Sequence, residues 1–121
     1  MTEVEIITIF DNWNSALQTG DPEQVANLYA DNAILLPTMS HQVCHTHEEI
    51  KNYFTHFLEK VPVGTINESN IRLYGQLAIN SGIYTFTFKD GSYVRARFTF
   101  VYYKKVDRWR IVEHHSSQMP E

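Results

Sequence analysis

The sequence predicts an α+β fold in which three N-terminal helices pack on a strongly curved, mainly antiparallel sheet. Three observations point there. Apolar residues recur at helical spacing up to about residue 60 and with a period of two from residue 65. The candidate strands of the second half are joined by turns so short that consecutive strands must be antiparallel neighbours. Charge divides at the same place. Residues 1–60 carry nine acids and only Lys51 and Lys60 as bases, whereas residues 61–121 carry five acids and eight bases. The net charge of −4 is therefore −7 on the helical half and +3 on the strand half.

The elements follow in order. Ile6, Ile9, Phe10, Trp13, Ala16 and Leu17 mark the apolar face of a helix over residues 3–18, stopped by Gly20. Asp21 is placed as the N-cap of a second helix with Pro22 at its first position. Val25, Leu28 and Tyr29 share a face of that helix, and its end is expected near Asp31-Asn32. Ala33–Leu36, closed by Pro37, reads as a short strand, and 39–45 as a hairpin arm. Thr46-His47-Glu48-Glu49 is a capping box opening a third helix with Ile50, Tyr53, Phe54, Phe57 and Leu58 on its apolar face. Val61-Pro62-Val63-Gly64 breaks it. Candidate strands then run over 65–74, 77–88, 93–104 and 109–117, with Asp90-Gly91 as a hairpin turn and another turn at 105–108. A bent sheet capped by helices makes a cone with a cavity at its mouth.

Composition narrows the function classes. With 121 residues, the chain is read as one domain spanning 1–121. At 43% hydrophobic and 13% aromatic residues it carries too much apolar surface to stay disordered. A single cysteine, Cys44, excludes an internal disulfide and a cysteine-rich zinc site. The acidic balance argues against nucleic acid as a partner. The acidic N-terminus and the lack of a long apolar run predict a soluble, cytoplasmic chain without a membrane partner.

Specific segments carry a resemblance. Thr19-Gly20-Asp21-Pro22-Glu23 and Leu28-Tyr29-Ala30-Asp31-Asn32-Ala33 resemble the first helical hairpin of the nuclear transport factor 2-like cone fold. The tail from Tyr102-Tyr103-Lys104-Lys105 through Trp109-Arg110-Ile111-Val112-Glu113-His114-His115-Ser116 is similar to the last hairpin of the calcium/calmodulin-dependent protein kinase II association domain. It is closer still to the small stand-alone bacterial proteins grouped with that domain. The ending His114-His115-Ser116-Ser117-Gln118-Met119-Pro120-Glu121 is the most specific stretch. The resemblance implies a homodimer, or a ring of such dimers, with a binding or assembly role. It implies no kinase activity, since the chain lacks a glycine-rich loop with a downstream catalytic loop. The kinase domain has an arginine-lined cavity. In an ungapped placement those positions fall on Tyr84, Phe100 and Ser116, none of them basic, so an anion pocket of that type is not expected here.

The candidate residues fall into groups. Trp13, Tyr29, Tyr84, Phe98, Phe100, Tyr102, His114 and Ser116 are expected to line a pocket in the cone for a small apolar or aromatic ligand. Within it, His114 beside Tyr84 is the candidate acid/base of a second reading, a cofactor-independent isomerase, dehydratase or hydrolase. The structural alternative for His114 is a neutral, hydrogen-bonded core histidine. Arg95, Arg97, Thr99, Val101, Tyr103 and Trp109 are expected, with Ile111, on the outward sheet face that would pair two subunits. Acids for steroid-isomerase-type chemistry are missing from the positions such a site needs. Trp13 stands on the first helix, Ile34, Leu35 and Leu36 on the early strand, and Asp31 has a capping position. Ser116 and Ser117 adjoin histidines but, on a strand, point to opposite faces and form no dyad by adjacency. His41, Cys44, His45 and His47 are dense in ligand types but match no metal-binding spacing. No metal and no cofactor are expected.

Overall fold

The computed structural model describes residues 3–38 and 40–120. Helix α1 (Glu3–Gln18) buries the apolar stripe of Ile6, Phe10, Trp13, Ala16 and Leu17. Helix α2 (Pro22–Ala26) starts as expected, with the Asp21 carboxylate accepting from the Glu23 N–H at 3.0 Å. It ends earlier than its apolar face suggests. Asn27 caps it, and the chain enters strand β1 (Tyr29–Leu36) at a residue assigned to the helix from spacing alone. The reason is tertiary. The Leu28 carbonyl already accepts from the Ile111 N–H, so pairing with the last strand captures this segment.

Met39 lies outside the described residues, and of the expected hairpin arm only an isolated Leu35–Cys44 bridge forms. Helix α3 (His47–Phe57) opens on the capping box. Glu49 N–H donates to the Thr46 hydroxyl, and the Glu49 carboxylate reaches back to the His45 N–H at 2.7 Å. A 3-10 turn (Leu58–Lys60) leads to strands β2 (Val63–Tyr74), β3 (Leu77–Thr87), β4 (Tyr93–Lys105) and β5 (Arg108–Gln118).

The sheet order is β1-β5-β4-β3-β2. All pairs are antiparallel except β1 with β5, which is parallel. Three register shifts interrupt the ladders, in β1 between Tyr29 and Ile34, in β2 at Asn67 and in β5 at Val112. Each adds local twist and bends its strand, which curls the sheet around the helices. The Val112 shift also changes which side chains face inward. His114 and Ser116 point into the cone as expected, but so do Ile111 and Trp109. Ile111 is fully buried in the core, and the Trp109 indole donates to Glu5 of α1 at 3.4 Å. Trp109 therefore leaves the outward set that the uninterrupted period of two assigned to it.

Two glycines fit this geometry. Asn14 of α1 makes a reciprocal pair with the Gly64 backbone, both bonds at 2.9 Å, and a Cβ there would press on Asn14 and Phe86 at 3.2 and 3.3 Å. Gly82 sits where the β2 shift brings the chain close, so that a Cβ would overlap the Glu68 carbonyl. Gly82→Ala is expected to destabilise the fold by roughly 1–3 kcal/mol, the range for overpacking. Urea unfolding measures this, and an unchanged midpoint would contradict the assigned close approach.

Candidate functional site

Alternation along β3, β4 and β5 sends Tyr84, Phe98, Phe100, Tyr102, His114 and Ser116 to one side of the sheet, where Trp13 of α1 and Tyr29 of β1 meet them. The eight residues expected to line a pocket thus do come together. They pack on one another rather than around an open space. His114 stacks on Phe100 with ring centroids 4.0 Å apart, and Trp13 lies edge-on to both rings. Such aromatic pairs add about 0.5–1.5 kcal/mol each beyond the area they bury. The space left beside His114 and Ser116 is about 10 Å³, enough for one water-sized atom.

A chain of hydrogen bonds runs through this packing. The Trp13 indole N–H donates to the Tyr29 hydroxyl at 3.1 Å. Tyr29 O lies 2.8 Å from His114 Nδ1, and Tyr84 O lies 3.1 Å from His114 Nε2. Tyr84 donates to Ser116 at 2.7 Å, and Ser116 Oγ lies 2.9 Å from Thr38 Oγ1. Tyr53 of α3 donates to the Thr38 carbonyl at 3.0 Å.

Burial sets the electrostatics. It lowers the His114 pKa to about 3, with a smaller contribution from His115, so the ring is neutral. Burial pushes the phenols of Tyr29 and Tyr84 well above their ordinary range. A neutral imidazole with both nitrogens engaged is a poor general base, so the geometry matches the structural role for His114 better than the acid/base role with Tyr84. Two further inward groups, Asn80 Nδ2 and the Tyr102 hydroxyl, are buried with no hydrogen-bond partner among the described residues.

An open concavity lies between α3 and the segment that follows β1, one of several on the surface, the most voluminous of which, about 660 Å³, lies between Lys60 and the turn joining β3 to β4. The concavity beside α3 is a groove of about 370 Å³ bounded by Ser40, Gln42, Cys44, Glu49, Asn52, Tyr53, His56, Phe57 and Lys60. None of these belongs to the expected pocket set, although Tyr53 and Phe57 were legible as apolar-face residues of a helix. Thr38 gave no signal beyond following a strand-ending proline. The remaining ligand-type residues diverge. Cys44 is buried, and its thiol is pushed up by burial. His45 faces Glu49 at 3.6 Å, and His47 meets Glu23 at 3.1 Å. Among the described residues no three His, Cys, Asp or Glu side chains converge, and no helix is long and apolar enough to cross a membrane.

Among the described residues no helix covers the opposite sheet face. Arg95, Arg97, Thr99, Val101 and Tyr103 alternate along it as expected, beside half-buried Ile79 and Ile83 of β3. Among the described residues neither the Arg95 nor the Arg97 guanidinium has an ion-pair partner.

A curled five-stranded sheet with three helices on its inner side is the architecture of nuclear transport factor 2-like proteins with a cystatin-like fold. A Pseudomonas putida protein of that type, of unknown function, superposes with a TM-score of 0.85 at 16% identity, over 98% of this chain and 87% of its own. A Nostoc punctiforme protein of unknown function with a cystatin-like fold superposes at 0.83 and 14% identity, over 98% and 92%. These two show the fold alone. Residues 2–120 match the family model of the calcium/calmodulin dependent protein kinase II association domain, and this chain belongs to that family. A Xanthomonas campestris structure assigned by name to the same domain is 50% identical, with a TM-score of 0.93 over 97% of this chain and 87% of its own. A search of curated proteins finds none that matches.

Two tests follow from the buried chain. Tyr84→Phe strips partners from both His114 and Ser116 and is expected to cost about 1–3 kcal/mol. Tyr102→Phe deletes a hydroxyl without a partner among the described residues and is expected to be neutral or stabilising. Equal losses in urea unfolding would contradict this contrast.

His114 also predicts a pH dependence. Its pKa falls from about 6.5 to about 3 on folding, so between those values the unfolded chain binds the extra proton. Stability is fully present above about pH 6.5 and declines as pH falls, by up to about 1.4 kcal/mol per unit. The clean window ends near pH 5, below which carboxylates with the ordinary value of about 4.5 take up protons in earnest. Denaturant titrations between pH 7 and about 5 should show this slope, and His114→Gln should flatten it.

Proposed function

We propose that this chain is a homodimeric, association-domain-like protein with a binding or assembly role and no kinase activity, holding a small apolar or aromatic molecule at the mouth of its cone. The observation that carries the pairing is the uncovered sheet face. A layer architecture places a partner on each apolar sheet face, and here the helices serve only one. Ile79, Ile83, Val101 and Tyr103 give the uncovered face an apolar middle. Arg72, Arg95 and Arg97 stand on the same face as Glu68 and Glu113, so two copies related by a twofold axis can set arginines against acids. Membership in a family named for association supports a second copy of the chain as the occupant.

The ligand reading rests on the groove of about 370 Å³, a size suited to a small molecule. Its wall is shared with the aromatic interior through Tyr53 and Phe57.

Light scattering at micromolar concentration is expected to give twice the chain mass. Val101→Glu places a charge in the apolar middle and should raise the dimer dissociation constant at least about tenfold, ~1.4 kcal/mol. A wild-type monomer under these conditions would sink the pairing.

A further inference from the structure

The buried chain of hydrogen bonds has one more hydrogen than it can use. Trp13, Tyr29, neutral His114, Tyr84, Ser116 and Thr38 each contribute one side-chain hydrogen, and five bonds link these six groups. The position of the surplus hydrogen follows from the indole, which can only donate. Tyr29 accepts from Trp13. If His114 also donated to Tyr29, the Tyr29 hydrogen would be stranded in the interior with no acceptor among the described residues, at the cost of an unpaired buried donor. Tyr29 therefore donates to Nδ1, and the His114 hydrogen sits on Nε2 and points to Tyr84. Tyr84 donates onward to Ser116. The surplus hydrogen is left on the Ser116–Thr38 pair. Both hydroxyls are more than nine-tenths buried, and both line the cavity of about 10 Å³.

The remaining walls of that cavity are Trp13, Leu35, Pro37, Phe54, Phe57 and Phe86, with His114 and the Tyr53 ring. No charged side chain is among them. An anion would lose its hydration there against a single neutral donor, and a cation would find no carboxylate. A neutral acceptor oxygen fits both the donor and the walls. Tyr53 and Phe57 border this cavity on one side and the open groove on the other. A molecule lying in the groove reaches the donor by displacing those two rings.

We propose that the Thr38–Ser116 hydroxyl pair is a hydrogen-bond-donor site for an uncharged, carbonyl-bearing apolar molecule, with its oxygen in the small cavity and its body in the groove past Tyr53 and Phe57. This rests on the small-molecule reading of the cone given above and adds the polarity and charge of the ligand.

Two measurements test it on the intact chain. Nitrogen-15 NMR of the His114 ring is expected to show the neutral Nε2–H tautomer. An Nδ1–H tautomer would move the surplus hydrogen to Tyr29 and overturn the donor site, whatever binds. Titrations with acetophenone, ethylbenzene and benzoate supply the second test. Acetophenone is expected to bind about tenfold tighter than ethylbenzene, the worth of one neutral hydrogen bond. The combined Thr38→Val and Ser116→Ala variant should erase that ratio while ethylbenzene binding persists. Equal binding of acetophenone and ethylbenzene to the wild type would leave the cone pocket standing and overturn its polarity. Tightest binding of benzoate would overturn the requirement for an uncharged ligand. If none of the three binds, even to the Tyr53→Ala variant in which the groove and cavity merge, the small-molecule reading itself fails along with this one.

Discussion

The His114 ring is buried, and much of the structure follows from that. A neutral imidazole in an apolar interior must give one nitrogen a donor and the other an acceptor. Tyr29 and Tyr84 supply them from strands on opposite sides of β5. Trp13 supplies the indole N–H from α1, and Ser116 with Thr38 extends the chain toward the mouth. One neutral chain therefore ties a helix to three strands and to the segment after β1. Its hydrogens run in one direction because the indole at its start has no lone pair to offer. Charging His114 would break that order; burial, with a smaller contribution from His115, keeps the ring neutral.

The bend of the sheet decides who takes part. A flat sheet would leave Tyr84 and His114 too far from α1 to share Trp13. The shifts at Asn67 and Val112 curl β2 and β5, and Gly82 lets β3 approach the first of them. The Val112 shift also sorts β5 into two sets. Ile111 and Trp109 join the core side, whereas the outward side keeps Arg110, Val112 and Glu113. A single extra residue thus moves an indole from the surface proposed for pairing to a contact with Glu5.

The two sides of the sheet have opposite chemistry. The inner side is full of rings and has no charged side chain at its centre. The outer side mixes branched aliphatic residues with arginines and acids. Tyr84, Phe100 and Ser116, the positions at which no anion pocket was expected, make a stacked, hydrogen-bonded, uncharged cluster around His114.

Much of the fold was legible in the residues. The Thr46–Glu49 capping box, the Asp21-Pro22 helix start, the Asp90-Gly91 turn and the period of two in β3 and β4 are local signals, and local backbone chemistry obeys them. Alternation put Phe98, Phe100 and Tyr102 on one face of β4, and the resemblance to the association domain's last strand put His114 and Ser116 on the same side; the structure has all five facing inward. Tertiary structure decided the rest. Tyr29 became a strand residue because β5 offered its segment a parallel partner. Trp109 turned inward at a register shift that hydrophobic periodicity does not mark. The residues expected to line a pocket packed on one another because ring volumes and a curled sheet closed together, and an open groove lies instead beside Tyr53. Sequence by itself determined which side chains are apolar and which backbone segments can pair. Only packing in three dimensions determined which polar atoms were left buried with a hydrogen to spare, because that depends on distances between residues up to 85 positions apart.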